Sequence, residues 1–135
     1  MAAMNTGTFT MNTWNEHVAS GDEGAPRYAH ARASFTYTGA IEGTSTCDYL
    51  LYYPGEGFTD GGQASPGVER IEGTVDGRTG SFVVRHDVRY GADGIDDTWS
   101  VVPGSGTGDL AGITGHGTAK GVTETIDYTF DYRFD

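Results

Sequence analysis

The sequence predicts an all-β protein, a closed eight-stranded antiparallel up-and-down β-barrel, on three observations. Apolar and β-favouring residues recur at a period of two rather than 3.6. Glycine-rich punctuation interrupts them at short intervals, with 22 glycines in 135 residues. Nearly all connections are too short for a parallel crossover, so neighbours in sequence should pair antiparallel. Closure would remove the edges that promote aggregation, and eight strands enclose a space that side chains fill or that holds one small ligand. A two-sheet β-sandwich is the alternative, and residues 1–135 read as one domain.

The first strand is expected at Gly7 to Trp14. A polar segment with a helical turn around Trp14 to Ser20 should lead to the second, Tyr28 to Thr38. The third runs from Ile41 to Tyr53, and the glycine-rich loop Pro54 to Pro66 separates it from Gly67 to Val75. Asp76-Gly77 then signals a tight hairpin, because both central positions of a type I′ turn need positive φ. Thr79 to Tyr90, Ile95 to Val102, Asp109 to Ala119 and Val122 to Phe134 complete the set. A short repeat supports reused hairpins: Ile41-Glu42-Gly43-Thr44 returns as Ile71-Glu72-Gly73-Thr74.

Composition first suggests disorder, since Leu, Ile, Val and Phe number only 23 and the net charge is −11. The 12% of aromatic residues argues for a core instead, each ring burying some 150–250 Å². The charge, with Lys120 and seven scattered arginines, disfavours nucleic acid and anionic membranes. No apolar run nears the roughly 20 residues of a bilayer span, and the amino terminus lacks a signal-peptide pattern. The lone Cys47 fits a reducing compartment, so a cytoplasmic location is expected.

Residues 67–86, from Gly67-Val68-Glu69-Arg70 to Val84-Arg85-His86, resemble a family of small bacterial proteins known as domain of unknown function 3224. Trp99-Ser100-Val101-Val102-Pro103-Gly104-Ser105-Gly106-Thr107-Gly108-Asp109-Leu110-Ala111-Gly112-Ile113 is similar to that family's second signature. Gly7-Thr8-Phe9, Ile41-Glu42-Gly43 and Tyr128-Thr129-Phe130-Asp131-Tyr132 resemble its opening, middle and closing strands. The resemblance implies an eight-stranded barrel related in architecture to allene oxide cyclase. It implies no activity, which must be sought in the residues.

On the fifth strand Phe82, Val84, His86 and Val88 alternate with Ser81, Val83, Arg85 and Asp87, so the first set should point inward. Burial among apolar neighbours would then depress His86 and leave it neutral near pH 7. Glu69 shares an apolar face with Ile71 and Val75, and needs either an inward donor or a proton. The Asp76-Gly77 turn brings position 69 near the mid-eighties. Glu69 and His86 are thus the candidate catalytic pair, a structural bond that fixes register being the alternative. Trp99, Phe82, Val84, Tyr128, Tyr37 and Tyr49 are candidate substrate-binding residues, large surfaces of which four carry polar tips. Those rings are equally ordinary barrel core.

Other motifs are weaker. Pro103-Gly104-Ser105-Gly106-Thr107-Gly108 lacks the lysine and helix of a phosphate loop and reads as a turn. Asp93, Asp96 and Asp97 do not have EF-hand spacing and read as a solvated loop. His17, His30, His86 and His116 define no metal triad by spacing, and Cys47 has no cation near it in sequence. The expected function is a cofactor-independent isomerase or cyclase acting on an apolar or polyketide-like small molecule, with no metal. A non-catalytic carrier barrel is the alternative, and a homo-oligomer, such as a homodimer, is expected.

Overall fold

A computed structural model describes residues 3–22, 24–54, 64–91 and 94–134. Among them nine strands form: β1 (Ala3–Gly21), β2 (Arg27–Gly39), β3 (Ile41–Tyr53), β4 (Ala64–Val75), β5 (Arg78–Gly91), β6 (Gly94–Val101), β7 (Thr107–Gly108), β8 (Ile113–Gly121) and β9 (Thr125–Phe134). The order β4-β3-β2-β1-β9-β8-β6-β5, closed by pairing of β4 with β5, is an eight-stranded antiparallel ring. β7 lies outside the ring on β5. The barrel is therefore an up-and-down meander rather than a sandwich, and no helix forms among the described residues.

Two expectations about elements are corrected. The segment Trp14 to Ser20 is not helical but continues β1. A register shift between Met11 and Thr13 inserts Asn12 as an extra residue, so Met11 pairs with Phe35 and Trp14 with Ala33. The inward phase passes from Phe9 and Met11 to Trp14 and Glu16, which breaks the period of two and hides the strand. The seventh ring strand begins at Ile113, not Asp109, because residues 109–112 turn beneath the barrel and insert Leu110, which is fully buried. Most of the expected loop Pro54 to Pro66 lies outside the described residues, though β4 already begins at Ala64.

The Asp76-Gly77 hairpin forms with φ of 53° and 75° at its two residues, as a type I′ turn requires. The repeated glycines face each other, Gly43 pairing with Gly73. A Cβ on Gly43 would stand 2.1 Å from the Glu72 carbonyl oxygen, so the close approach of β3 and β4 accounts for the echo.

The interior has two unlike ends. Toward the β4–β5 turn it is packed solid by Ile41, Ile71, Val75, Phe82, Val84, Leu110, Ile113 and Phe130. At the other end β2 presents Ala29, Ala31 and Ala33 inward. Each small residue sits between larger inward residues of β1 and β3: Val18 and Leu51, Glu16 and Tyr49, Trp14 and Cys47. That end encloses a cavity of about 780 Å³ lined by Phe9, Trp14, Phe35, Tyr37, Tyr49 and Ile126 among others.

Candidate functional site

Five successive strands each send polar side chains inward at one level, where the cavity meets the packed end. Glu69 on β4 lies diagonal to His86 on β5, since Glu69 pairs with Val84 and Gly67 with His86. Asp97 on β6 lies diagonal on the other side, because Val88 pairs with Asp97. His86 Nε2 is 2.5 Å from Glu69 Oε1, and Nδ1 is 2.7 Å from Asp97 Oδ2. Tyr37 on β2 donates its hydroxyl to both Glu69 oxygens, at 2.9 and 2.7 Å, and Ser45 on β3 donates to Oε2. The three ionisable groups are nearly sealed: Glu69 is 1% exposed, Asp97 3% and His86 8%.

The electrostatics reverse the expectation for His86. Burial does push the imidazole down, but the hydrogen bonds to Asp97 and Glu69 and the charges of both carboxylates outweigh it and raise it to about 10. His86 is therefore an imidazolium at neutral pH, donating through both nitrogens. Asp97 is raised by its burial, against the pull of His86. Burial and the nearby Glu69 also hold the Tyr37 hydroxyl well above its ordinary value, so it stays a donor.

Of the six expected substrate-binding residues, the structure brings Tyr37 and Tyr49 to the cavity wall. Trp99, Phe82, Val84 and Tyr128 are not brought there, for a reason of level along their strands. Phe82 stacks on Phe130 with centroids 6.0 Å apart, Trp99 packs on Phe130 at 4.8 Å, and Val84 is fully buried beside Glu69. The Tyr128 hydroxyl is consumed by backbone, accepting from the Ile41 amide at 2.8 Å and donating to the Thr38 carbonyl at 2.9 Å. Alternation identifies an inward face but not how deep each inward residue lies.

Three members of the site are not picked out by sequence reasoning. Asp97 reads with Asp93 and Asp96 as a loop; Asp93 lies outside the described residues, and the pleat turns Asp96 outward to Lys120 at 3.8 Å. Alternation with Trp99 is the signal that Asp97 points inward. Ser45 and Cys47 share the inward phase of β3, and the polar character of Ser45 is the available clue. Cys47 is fully buried, and burial with the charge of Glu69 pushes its thiol up, which keeps it protonated.

Cys47, Glu69 and His86 each offer one atom within 4.8 Å of the others, the arrangement nearest to a cation site among the described residues. It fits a cation poorly. Both Glu69 oxygens already accept hydrogen bonds and both His86 nitrogens donate them, so a metal would have to displace that network. The remaining histidines lie on the outer surface: His17 against His30 at 5.2 Å, His30 on Asp48 at 2.8 Å, and His116 near Asp131 at 3.7 Å.

A family model described as "Protein of unknown function (DUF3224)" matches residues 5–132. A crystal structure of a protein with unknown function from the DUF3224 family of Shewanella oneidensis MR-1 superposes with a TM-score of 0.77 at 22% identity, covering 100% of this chain and 99% of that one. At that identity the likeness concerns the fold. No curated protein matches.

Proposed function

We propose, for a chain that belongs to the DUF3224 family of proteins of unknown function, that it binds an apolar small molecule and isomerises or cyclises it by acid–base chemistry without a cofactor. The reading is carried by one observation: a buried Glu69–His86–Asp97 chain stands at the floor of an aromatic cavity that is open at one end of the barrel. Aromatic walls restrict a flexible molecule to conformers near the reacting geometry. The His86 imidazolium, held between Glu69 and Asp97, is the proton store of the site, in a medium where an unpaired charge is poorly solvated. Protons move along the buried Glu69–His86–Asp97 chain, whose one oxygen without a partner is Asp97 Oδ1. An isomerisation returns to the molecule the proton it gives up, so atoms and electrons balance without a co-reactant.

The expected architectural kinship with allene oxide cyclase motivates the cyclase form of this reading, with an apolar or polyketide-like substrate. A carrier is the second reading, favoured by the saturation of both Glu69 oxygens, which suits a network that fixes register. Protein taken directly from its host and examined by native mass spectrometry should retain a bound molecule. Incubated with that molecule, the wild type should return it as an isomer, and Glu69→Gln and His86→Ala should lower turnover by at least 100-fold. Return of the molecule unchanged would establish the carrier instead, and full turnover by both variants would remove the pair from the mechanism.

The cytoplasmic location and the homodimer remain part of the proposal. No helix among the described residues is long and apolar enough to cross a membrane.

A further inference from the structure

Glu69 has no acceptor capacity left for a ligand. Tyr37, Ser45 and His86 donate to its two oxygens. His86 likewise uses Nδ1 and Nε2 on the two carboxylates. Asp97 differs. Its Oδ2 holds His86, but its Oδ1 is buried and accepts no hydrogen bond, the one such side-chain atom among the described residues. Asp97 is also part of the cavity wall, and because Oδ1 has almost no surface open to solvent, a ligand reaches it with a turn of the carboxylate toward the cavity. A buried acceptor without a donor is unfavourable, and a site built around one gains most from the molecule that supplies the donor.

Resting on the cavity reading above, we propose that Asp97 is the residue that meets the ligand, and that the ligand is a largely apolar, uncharged or cationic molecule whose O–H or N–H group donates to Asp97 Oδ1. The walls define the apolar part, with Phe9, Phe35, Tyr49 and Ile126 toward the interior and Trp14 near the mouth. The charges lining the cavity define the rest. Glu16, Glu69, Asp97 and Glu124 are four carboxylates against Arg27 and His86. Glu16 is engaged by the Tyr53 hydroxyl at 2.7 Å and the Trp14 indole at 3.1 Å. An anion entering this cavity meets a net negative wall, whereas a neutral donor or an ammonium does not.

The choice between a donor and an acceptor at the floor follows from His86. Because its two N–H groups are already spent on carboxylates, the floor offers the ligand an acceptor and no free imidazole donor. A hydroxyl should thus be held much more tightly than its methyl ether, although the ether is the more apolar of the two.

Binding of 1-hydroxypyrene, 1-methoxypyrene and pyrene-1-carboxylate, followed at pH 7 by fluorescence anisotropy, tests this on the unaltered protein. The hydroxyl compound should bind at least 10-fold more tightly than the ether, and the carboxylate weakest of all. In Asp97→Asn, whose amide can keep the His86 bond through its oxygen and turn NH₂ toward the cavity, the preference should shrink to less than 2-fold or invert. Equal affinity of hydroxyl and ether in the wild type would overturn the role of Asp97 while leaving the cavity reading in place. So would an undiminished preference in Asp97→Asn, with a urea midpoint showing that the variant is folded. Failure of all three pyrenes to bind would overturn both.

Discussion

At the scale of single residues, the decisive quantity is the charge on His86. A histidine in an apolar interior is ordinarily depressed, but two carboxylates within 2.7 Å reverse the sign. The consequence for stability is testable. His86 is raised from 6.5 to about 10 on folding, so its stabilisation is fully present below about 6.5 and is lost as pH rises through about 10. Asp97 is raised too, and its contribution is complete below the ordinary 3.8 and fades as pH rises through its higher value. Between pH 7 and 10.5 the wild type should lose on the order of 2–4 kcal/mol in urea unfolding. In His86→Asn that loss should shrink to what the remaining groups contribute. Parallel losses in both proteins would show that His86 is not held charged. The Glu69–His86 contact is legible in the sequence because one tight turn sets both strands and fixes their register. The sign of the shift is not, since it depends on Asp97, which reaches His86 only once the register of β5 against β6 is known.

At the scale of elements, glycines divide into those that serve the backbone and those that serve packing. Gly77 has φ +75° and nothing within 4 Å of where a Cβ would stand, whereas a Cβ on Gly117 would lie 2.3 Å from the Trp99 ring and 2.3 Å from the Thr129 carbonyl. Gly77→Ala should therefore cost about 1 kcal/mol, from left-handed backbone alone. Gly117→Ala forces the indole or the strand to move and should cost about 2–3 kcal/mol; urea midpoints of the two variants check the order. β1 offers a second test. Deleting Asn12 removes the extra residue between Met11 and Thr13, so either Trp14 and Glu16 or the preceding Phe9 and Met11 must turn outward. The variant should lose on the order of 3 kcal/mol, with Trp emission shifted to the red if Trp14 is the part expelled. Unchanged stability and emission would show that the bulge does not set the phase. Two bulges, at Asn12 and Ala19, explain why this stretch reads as helical: alternation is the leading signature of a strand, and each inserted residue interrupts it.

At the scale of the whole molecule, a barrel packed at one end and open at the other concentrates its polar groups where the two meet. The alanine row on β2 keeps the cavity from being filled. Val88→Trp should fill the space above His86 and weaken the binding of an apolar dye by at least 10-fold, with the unfolding free energy in urea changed by less than about 1 kcal/mol; undiminished dye binding would place the ligand elsewhere. The scarcity of large aliphatics, which at first resembles disorder, becomes a consequence of this architecture. A single closed sheet needs apolar residues chiefly on its inner face, and here rings such as Phe82, Trp99 and Phe130 supply much of that volume. By itself the sequence determined the antiparallel succession of eight strands, the inward face wherever alternation is unbroken, as on β4 and β5, and the meeting of Glu69 with His86, because these follow from alternation and from one tight turn, both local along the chain; the second half of β1 and the start of β8 were not legible in this way. Only the tertiary structure decided which inward residues pack and which line the cavity, that Tyr37, Ser45 and Asp97 complete the network, and that His86 is charged. Those outcomes depend on the stagger of the closed barrel, which sets the relative height of residues on different strands and is written in no single stretch of sequence.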